Sequence, residues 1–552
     1  MYVYSSKLRI PVYGSGPLAY ERWKRDFLRA YPTLISYQHR TPTGLLAPTC
    51  GLPAGVLSRV NMWLETPDWL DTPCAYREDS SFETVWGGFS NSSVVYKNSD
   101  NNVSMAMRRT TIEHTPGPLL AAGVSLANNQ IRNLKTRRMR RYQQALKRWC
   151  QEVVDRSPLD FFEELILYAS DKTHPKWKIR LQALLEVESL GLWSHETWLL
   201  HPIKCKLKKY ERAKPGKYPR LIGDLGVVAS LAAGFAWSKF KECLSTFEYS
   251  SKHPMKFVKS PSYAALKEVF EGLANPLYTY FCCHSDDSCF AARCRDGVIR
   301  VNIDIVSCDA SHSGDAFRFL EGCIPDGPWK EQISRAIKQC TAPVVVKGPS
   351  GSKVTLKLVD QTEHATKDTR VYSHVLSSGS SATTSINSNQ SMSIGHQLSR
   401  VEWWKLSKAE AAVEIERAAL RAGYAVTVQV CEELQQLQFL KCSPNSHCEP
   451  WMNLGVMMRV LGHCFGPLPG PGTIRERANA IDKQLVAGMV HCGNSLFYRT
   501  LVEKHRPGNE VLFHSDGIKN VYLCDEPTAS LDANSIATVM QELVNLSKQG
   551  LS

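Results

Sequence analysis

No stretch of 18 consecutive apolar residues occurs in the sequence, which excludes a membrane-spanning helix on hydropathy. The longest apolar stretch, Leu225–Trp237, is too short for that role. The first residues lack the charged-then-apolar order of a secretory signal, so membrane attachment is expected to come from a partner. CxxC pairs are also missing, and without them the pairs His447-Cys448, His463-Cys464 and His491-Cys492 do not make a zinc site. The 18 cysteines follow no regular spacing, and Cys282, Cys283, Cys289, Cys294 and Cys308 fall inside expected strands. They are read as free thiols of a reducing compartment, not as a disulfide framework. There is no Walker A loop: Gly348-Pro349-Ser350-Gly351-Ser352-Lys353 does not fit GxxxxGK[ST]. An acidic excess is lacking too. The formal net charge of +13 favours a polyanionic partner, nucleic acid before a membrane surface, though a merely basic protein explains it as well.

What is present centres on Tyr278–Ser313. An apolar run, Tyr278–Cys283, meets the polar turn Ser285-Asp286-Asp287, and a second run, Ser288–Cys294, follows. Asp296-Gly297 reads as a two-residue hairpin turn. A third run, Val298–Ile303, delivers Asp304, with Asp309 five residues on. Carboxylates grouped in this way repel one another unless a cation sits among them. Mg²⁺, held by a few carboxylates and substrate phosphates, is the expected cation, with Mn²⁺ as a substitute. Two such ions are polymerase apparatus.

Other segments offer partners for such a site. Lys204–Arg220 is a basic, turn-rich stretch whose only acidic residue is Glu211. Lys214, Lys217 and Arg220 on a rigid loop suit a triphosphate, or a generic RNA backbone. Ser377–Gly395 is a run of small hydroxyl and amide residues that makes a poor hydrophobic core. It suits the surroundings of a ribose or an RNA backbone, or a Ser-rich linker. Within it Thr383 and Asn387, four residues apart, share a helical face. Asn129–Arg156 reads as one basic helix, facing RNA or simply solvent.

The remaining elements are coarser. Residues 1–130, rich in Pro, Gly, Ser, Asn and aromatics, are expected to be an irregular wrapping segment. Helices are expected over Ala233–Glu248, Ser262–Gly272, Asp315–Cys323, Pro328–Cys340, Ser407–Ala422, Trp451–Leu461 and Arg475–Gly493. Val344–Leu358 reads as a hairpin, and Ala425–Val430 and Gln438–Cys442 as strands.

Taken together, these segments resemble a viral RNA-directed RNA polymerase over roughly residues 204–445. Lys214-Pro215-Gly216-Lys217-Tyr218-Pro219-Arg220 is similar to the basic fingers motif F. Asp304-x4-Asp309 resembles motif A, Ser378–Asn387 fits the SGx3Tx3N of motif B, and Gln438–Cys442 is similar to motif E. No strand–Asp-Asp–strand follows Asn387. Ser285-Asp286-Asp287 therefore stands for motif C, ahead of motif A, with Ser in place of the usual Gly. The order C–A–B resembles the permuted palms of permutotetraviruses and birnaviruses. His514-Ser515-Asp516-Gly517 is a rival turn with a single Asp.

The resemblance implies an α+β right-hand polymerase with an antiparallel palm sheet. Residues 1–203 would be an N-terminal extension and fingers, and 204–276 fingers with motif F. Residues 277–445 would be the palm with motifs C, A, B, D and E, 446–515 the thumb, and 516–552 a tail. It implies Asp304, Asp286 and Asp287 as catalytic metal ligands. It implies Lys214, Lys217, Arg220, Asp309, Ser378, Gly379, Thr383 and Asn387 as nucleotide-binding residues, with Asp309, Thr383 and Asn387 reading the ribose 2′-hydroxyl. Ser378-Gly379 would be the flexible loop that adapts as template moves. Lys405 and Lys408 are candidates for the general acid. Partners would be RNA template and product, NTPs and other viral replication proteins, in a replication complex of the host cytoplasm. A reverse transcriptase, or a non-catalytic RNA-binding protein, is the alternative. Asn520–Ser552 resembles the Walker B strand and following loop of ATP-binding-cassette ATPases. It lacks the Walker A loop and signature such an enzyme needs.

Overall fold

A computed structural model describes residues 98–108, 117–172, 177–189, 203–208, 218–356 and 379–453. It also describes the strands 2–4 and 9–11, the hairpin strands 75–84 and 87–96, and residues 174 and 211. In chain order the elements begin with β1 (Tyr2–Tyr4), β2 (Arg9–Pro11), β3 (Ala75–Thr84), β4 (Gly87–Tyr96), α1 (Asp100–Arg108), α2 (Gly117–Leu134) and α3 (Arg137–Arg156). Next come α4 (Phe161–Ser170), α5 (Trp177–Ser189), β5 (Lys204–Leu207), β6 (Leu221–Asp224), α6 (Val227–Thr246), β7 (Met255–Phe257) and α7 (Tyr263–Ala274). Three consecutive strands follow, β8 (Thr279–His284), β9 (Asp287–Cys294) and β10 (Gly297–Ile305), then α8 (Gly314–Glu321), α9 (Pro328–Thr341), β11 (Val344–Lys347) and β12 (Lys353–Leu356). The rest is α10 (Thr383–Leu398), α11 (Lys408–Ala422), β13 (Val426–Val430), β14 (Cys442–Pro444) and β15 (Pro450–Met452). The protein is mixed α+β with mostly antiparallel sheets.

The central sheet has the order β13-β10-β9-β8-β7. All neighbours are antiparallel except β7 and β8. Along β10, Ile299, Val301, Ile303 and Ile305 are buried, while Arg300, Asn302 and Asp304 alternate onto the other face. That period of two is what one packed sheet face requires. β8 is buried on both faces, which explains its unbroken apolar run. A second sheet, β12-β11-β5-β6, packs Cys205, Leu207, Val344 and Val346 against Val103 and Ala106 of α1.

The main core joins one face of the central sheet to α3, α6, α10 and α11. α6 is apolar nearly all round and buries Ala233, Ala236, Trp237 and Phe240, the use for the chain's longest apolar stretch. α11 begins in a Ser407/Glu410 capping box and ends at Gly423, φ +92.

Several expectations change. The N-terminal 130 residues are not simply irregular: they hold the β3–β4 hairpin, α1 and most of α2. The basic helix is two helices, broken at Lys135-Thr136, where Thr136 caps α3 through its side-chain oxygen. In α3, Met139, Tyr142, Leu146 and Cys150 face the core, while Arg137, Arg140, Arg141 and Arg148 are exposed. The β9–β10 turn is centred on Arg295-Asp296, with Gly297 (φ +127) already paired to Cys294. Gln438–Cys442 is not a strand. Leu440 (φ +52) and Lys441 (φ +64) form a tight left-handed turn closed by a Phe439–Cys442 bridge. Trp451 and Met452 belong to strand β15, not to a helix. The segments 454–515 and 516–552, with the rest of the expected Trp451–Leu461 helix, the Arg475–Gly493 helix and most of the expected thumb, lie outside the described residues.

The Ser/Asn-rich α10 departs furthest from its reading as poor core. Ser385 to Leu398 are all buried. Its small side chains let it lie close against the sheet: a Cβ on Gly395 would stand 2.8 Å from Cδ1 of Phe281. Three of its buried hydroxyls are satisfied within the protein, while that of Ser385 has no partner among the described residues. Ser388 Oγ donates to Thr384 O, Ser391 Oγ to Ser285 O, and Ser393 Oγ to Gln390 O.

Candidate active site

Strands β8 and β9 are joined by Ser285-Asp286. Ser285 takes φ +59, a conformation that costs a non-glycine residue about 1–2 kcal/mol. α10 holds it there. The Ser285 N–H donates to Ser388 Oγ at 2.8 Å, its carbonyl accepts from Ser391 Oγ at 2.8 Å, and its Oγ accepts from Asn387 Nδ2 at 3.2 Å. The turn that presents the two aspartates is therefore fixed by the helix beneath it.

The strand register sets the carboxylates. Asp287 is paired with Asp304 across β9 and β10, and with His284 across β8 and β9. Directly opposed residues hold their Cβ atoms about 5 Å apart on the same face. Asp304 and Asp286 are exposed and Asp287 is half-buried. Asp287 Oδ2 accepts the Leu440 N–H at 3.0 Å, so the left-handed 440–441 turn reaches onto this carboxylate. The same segment is tied to β10 through Asn302, whose Oδ1 accepts from Gln438 N at 2.9 Å and whose Nδ2 donates to Gln436 O at 2.9 Å.

After Asp304 the chain leaves the sheet at Ser307 (φ +48) and forms a short 3₁₀ turn, Cys308–Ala310. This turn carries Asp309 back toward α10, where Asn387 Nδ2 donates to Asp309 Oδ1 at 2.9 Å. Cys308 lies amid the acidic group. Burial pushes its thiol well above the usual range, and the charges of Asp286, Asp309 and Asp304 push it further.

The structure thus brings Asp286, Asp287, Asp304, Asp309 and Asn387 to one end of the central sheet. Thr383 lies one turn before Asn387, its hydroxyl 3.0 Å from Ser380 Oγ. Gly379 (φ +91) packs on β6, where an added Cβ would meet Gly223 O at 2.8 Å. That contact joins the start of the α10 region to the strand that follows the basic segment in sequence. Arg220, just before that strand, pairs with the buried Glu211 through Nε, and its N–H donates to Glu211 Oε2 at 2.7 Å. Lys214, Lys217 and Ser378 lie outside the described residues. The other two candidates differ from these: Lys405 pairs with Glu402 at 2.6 Å, and the Lys408 N–H donates to Asp296 Oδ1 at 2.9 Å on the β9–β10 turn.

Sequence reading missed His312, Tyr424 and the Leu440-Lys441 turn. Each is placed at the site by a tertiary contact with a residue distant in the chain, and only the closeness of His312 to Asp309 in sequence pointed to it.

Among the described residues, no group of three or more His, Cys, Asp or Glu side chains forms a metal-holding cluster. The opposed Asp287–Asp304 pair nevertheless suits a hard cation, since like charges placed directly across strands destabilise a sheet when bare. Mg²⁺ takes only one or two protein carboxylates and completes its shell with water and phosphate oxygens. No helix among the described residues is long and apolar enough to cross a membrane. No protein-family model matches the chain, and no curated protein matches it.

Proposed function

We propose that this chain is a template-directed RNA polymerase of the viral RNA-directed class, with a right-hand fold and a palm whose motifs run C–A–B. The observation that carries the reading is the register. The Ser285-Asp286-Asp287 hairpin is the immediate sheet neighbour of the strand bearing Asp304, with Asp287 opposite Asp304. The permuted order needs only the two-residue Arg295-Asp296 turn to make these strands neighbours. The Asp309–Asn387 contact at 2.9 Å supports the assignment of both to the ribose.

In this reading Asp304 and Asp286 hold Mg²⁺, with Asp287 supporting. When bound, the ions supply Lewis acidity at the primer 3′-hydroxyl and countercharge for the triphosphate. Lys214, Lys217 and Arg220 neutralise charge on the departing pyrophosphate. Asp309 and Asn387, with Thr383, orient the ribose and read its 2′-hydroxyl, the group that separates RNA from DNA substrates. The exposed arginines of α3 offer an RNA backbone contact whose strength falls with salt. RNA template and product, NTPs and other replication proteins are the partners, and a replication complex in the host cytoplasm is the setting.

The test is Mg²⁺-dependent extension of a primed RNA template. Asp304→Ala and Asp286→Ala should abolish incorporation while RNA binding persists, and Asp516→Ala should not. Full activity in Asp304→Ala would sink the palm assignment. Loss in Asp516→Ala with retention in Asp286→Ala would overturn the permuted order. Preference for dNTPs over NTPs would favour a reverse transcriptase.

A further inference from the structure

Asn387 is held from both sides. Its Nδ2 donates to Asp309 Oδ1 and Ser285 Oγ, while its Oδ1 lies 2.7 Å from Nε2 of His312. A carboxamide is nearly symmetric in shape, so its orientation is decided by its partners. An acceptor-only carboxylate on one side and a ring N–H on the other specify one orientation. His312 is 3% exposed and its other nitrogen, Nδ1, lies 3.0 Å from the Tyr424 hydroxyl. Tyr424 is fully buried, and its hydroxyl lies 3.0 Å from Oε1 of Gln390. A chain of contacts therefore runs Gln390–Tyr424–His312–Asn387–Asp309. It connects two positions of α10 to the end of α11 and the turn after β10.

Counting protons along the chain selects one arrangement. Tyr424 has a single hydroxyl proton. If it goes to Gln390, His312 must donate from both nitrogens and be cationic. If it goes to His312 Nδ1, the imidazole is neutral and carries its proton on Nε2, as Asn387 Oδ1 requires. Gln390 Nε2 has no partner among the described residues. Turning the Gln390 amide over brings that nitrogen to the phenol oxygen, where it donates. Burial favours the neutral ring and holds the His312 pKa below its ordinary value, against the opposing pull of Asn387 and Asp309.

We propose that His312, kept as the neutral Nε2–H tautomer by Tyr424 and Gln390, is the positioning residue that fixes the Asn387 carboxamide toward Asp309 and so sets discrimination at the ribose 2′ position. The proposal rests on the polymerase reading for its substrate. Without the His312 donor, Asn387 Oδ1 is left buried and unpaired, and the amide loses the constraint that keeps Nδ2 on Asp309. Without the Tyr424 hydroxyl, nothing selects the tautomer.

The experiment compares kcat/KM for an NTP and the matching dNTP on a primed RNA template, with Mg²⁺ present. His312→Leu and Tyr424→Phe are expected to lower the NTP-to-dNTP ratio about tenfold, mainly through a raised KM for the NTP. His312→Gln, which can still donate an amide N–H, is expected to recover much of the ratio. An unchanged ratio in both His312→Leu and Tyr424→Phe, with intact circular dichroism, overturns the proposal. Nitrogen-15 spectra of histidine-labelled wild-type protein give a second, activity-independent readout. A neutral Nε2–H imidazole at pH 7 supports the arrangement, and an imidazolium or Nδ1–H form overturns it. Absence of any incorporation by wild-type protein strikes the polymerase reading, while the spectra still decide the His312 arrangement.

Discussion

Asp287 and Asp304 face each other across the β9–β10 pair, two carboxylates in register on one face of an antiparallel sheet. Such opposition disfavours folding by a few tenths of a kcal/mol to about 1 kcal/mol, and a bound divalent cation reverses it. In metal-free buffer, Asp304→Asn is therefore expected to match or slightly exceed wild-type stability. With Mg²⁺ at ten times its dissociation constant, wild type should gain about 1.4 kcal/mol and the variant much less. Thermal melts in EDTA and in Mg²⁺ measure both effects. Equal Mg²⁺ shifts in the two proteins would take the cation away from this site.

Ser285 carries two opposed effects. Its φ of +59 favours glycine, but its Oγ accepts from Asn387. Ser285→Gly should relieve about 1 kcal/mol of backbone strain and lose a hydrogen bond of about 1 kcal/mol, leaving stability nearly unchanged. Ser285→Ala keeps the strain and loses the bond, so it should be less stable than the glycine variant by about 1 kcal/mol. Urea midpoints rank the two, and alanine above glycine would contradict the strain argument.

Gly395 lets α10 meet the sheet. A methyl there would stand 2.8 Å from Phe281 Cδ1 and 3.1 Å from Met255 Sδ. Gly395→Ala improves helix propensity by about 1 kcal/mol, yet overpacking should cost about 1–3 kcal/mol. A net loss of stability is expected in denaturant titration. A gain would mean that the helix can move away from β8 at little cost.

His396 gives a pH signature. Both of its ring nitrogens are buried without a hydrogen-bond partner among the described residues, and the ring packs edge-on against Tyr142 and Tyr249. Burial, aided by the positive charge of Arg138, depresses its pKa to about 3. The folded protein therefore resists protonation, while an unfolded chain takes up the proton near pH 6.5. Stability should fall as pH drops below about 6.5 and continue falling toward pH 3, by about 1.4 kcal/mol per pH unit for this group. His312 is depressed in the same direction and adds to the slope. Unfolding midpoints between pH 7 and pH 5 test the trend, and His396→Phe should flatten it. An unaltered slope in that variant would assign the pH dependence to other groups.

Much of the site was legible because its parts are local. The run of β8, β9 and β10 follows from apolar segments separated by Ser285-Asp286 and by a turn that the sequence places one residue late. Asp304 and Asp309 sit on one short stretch, and Thr383 and Asn387 on one helix face. The end of that helix was hidden by its composition. Ser and Asn signal loops and caps because their side chains compete with the backbone, and nothing local reveals that a sheet and several helices will bury them. The Leu440-Lys441 turn was equally hidden, since neither residue is a usual left-handed turn former. Its conformation is held by Asp287, Asn302 and the Phe439–Cys442 bridge.

By itself, the sequence determined the local order at the site: that β8, β9 and β10 are consecutive strands, where the carboxylates fall, and that the Asp-Asp turn comes before Asp304. Those features depend on neighbours within a few residues and on side-chain period. Only the tertiary structure decided that Asp287 stands opposite Asp304, that Asn387 spans Asp309 and His312, and that α10 is buried from Ser385 to Leu398. These are contacts between residues from 17 to more than a hundred positions apart, fixed by sheet register and by the close approach that Gly395 and the small side chains of α10 permit.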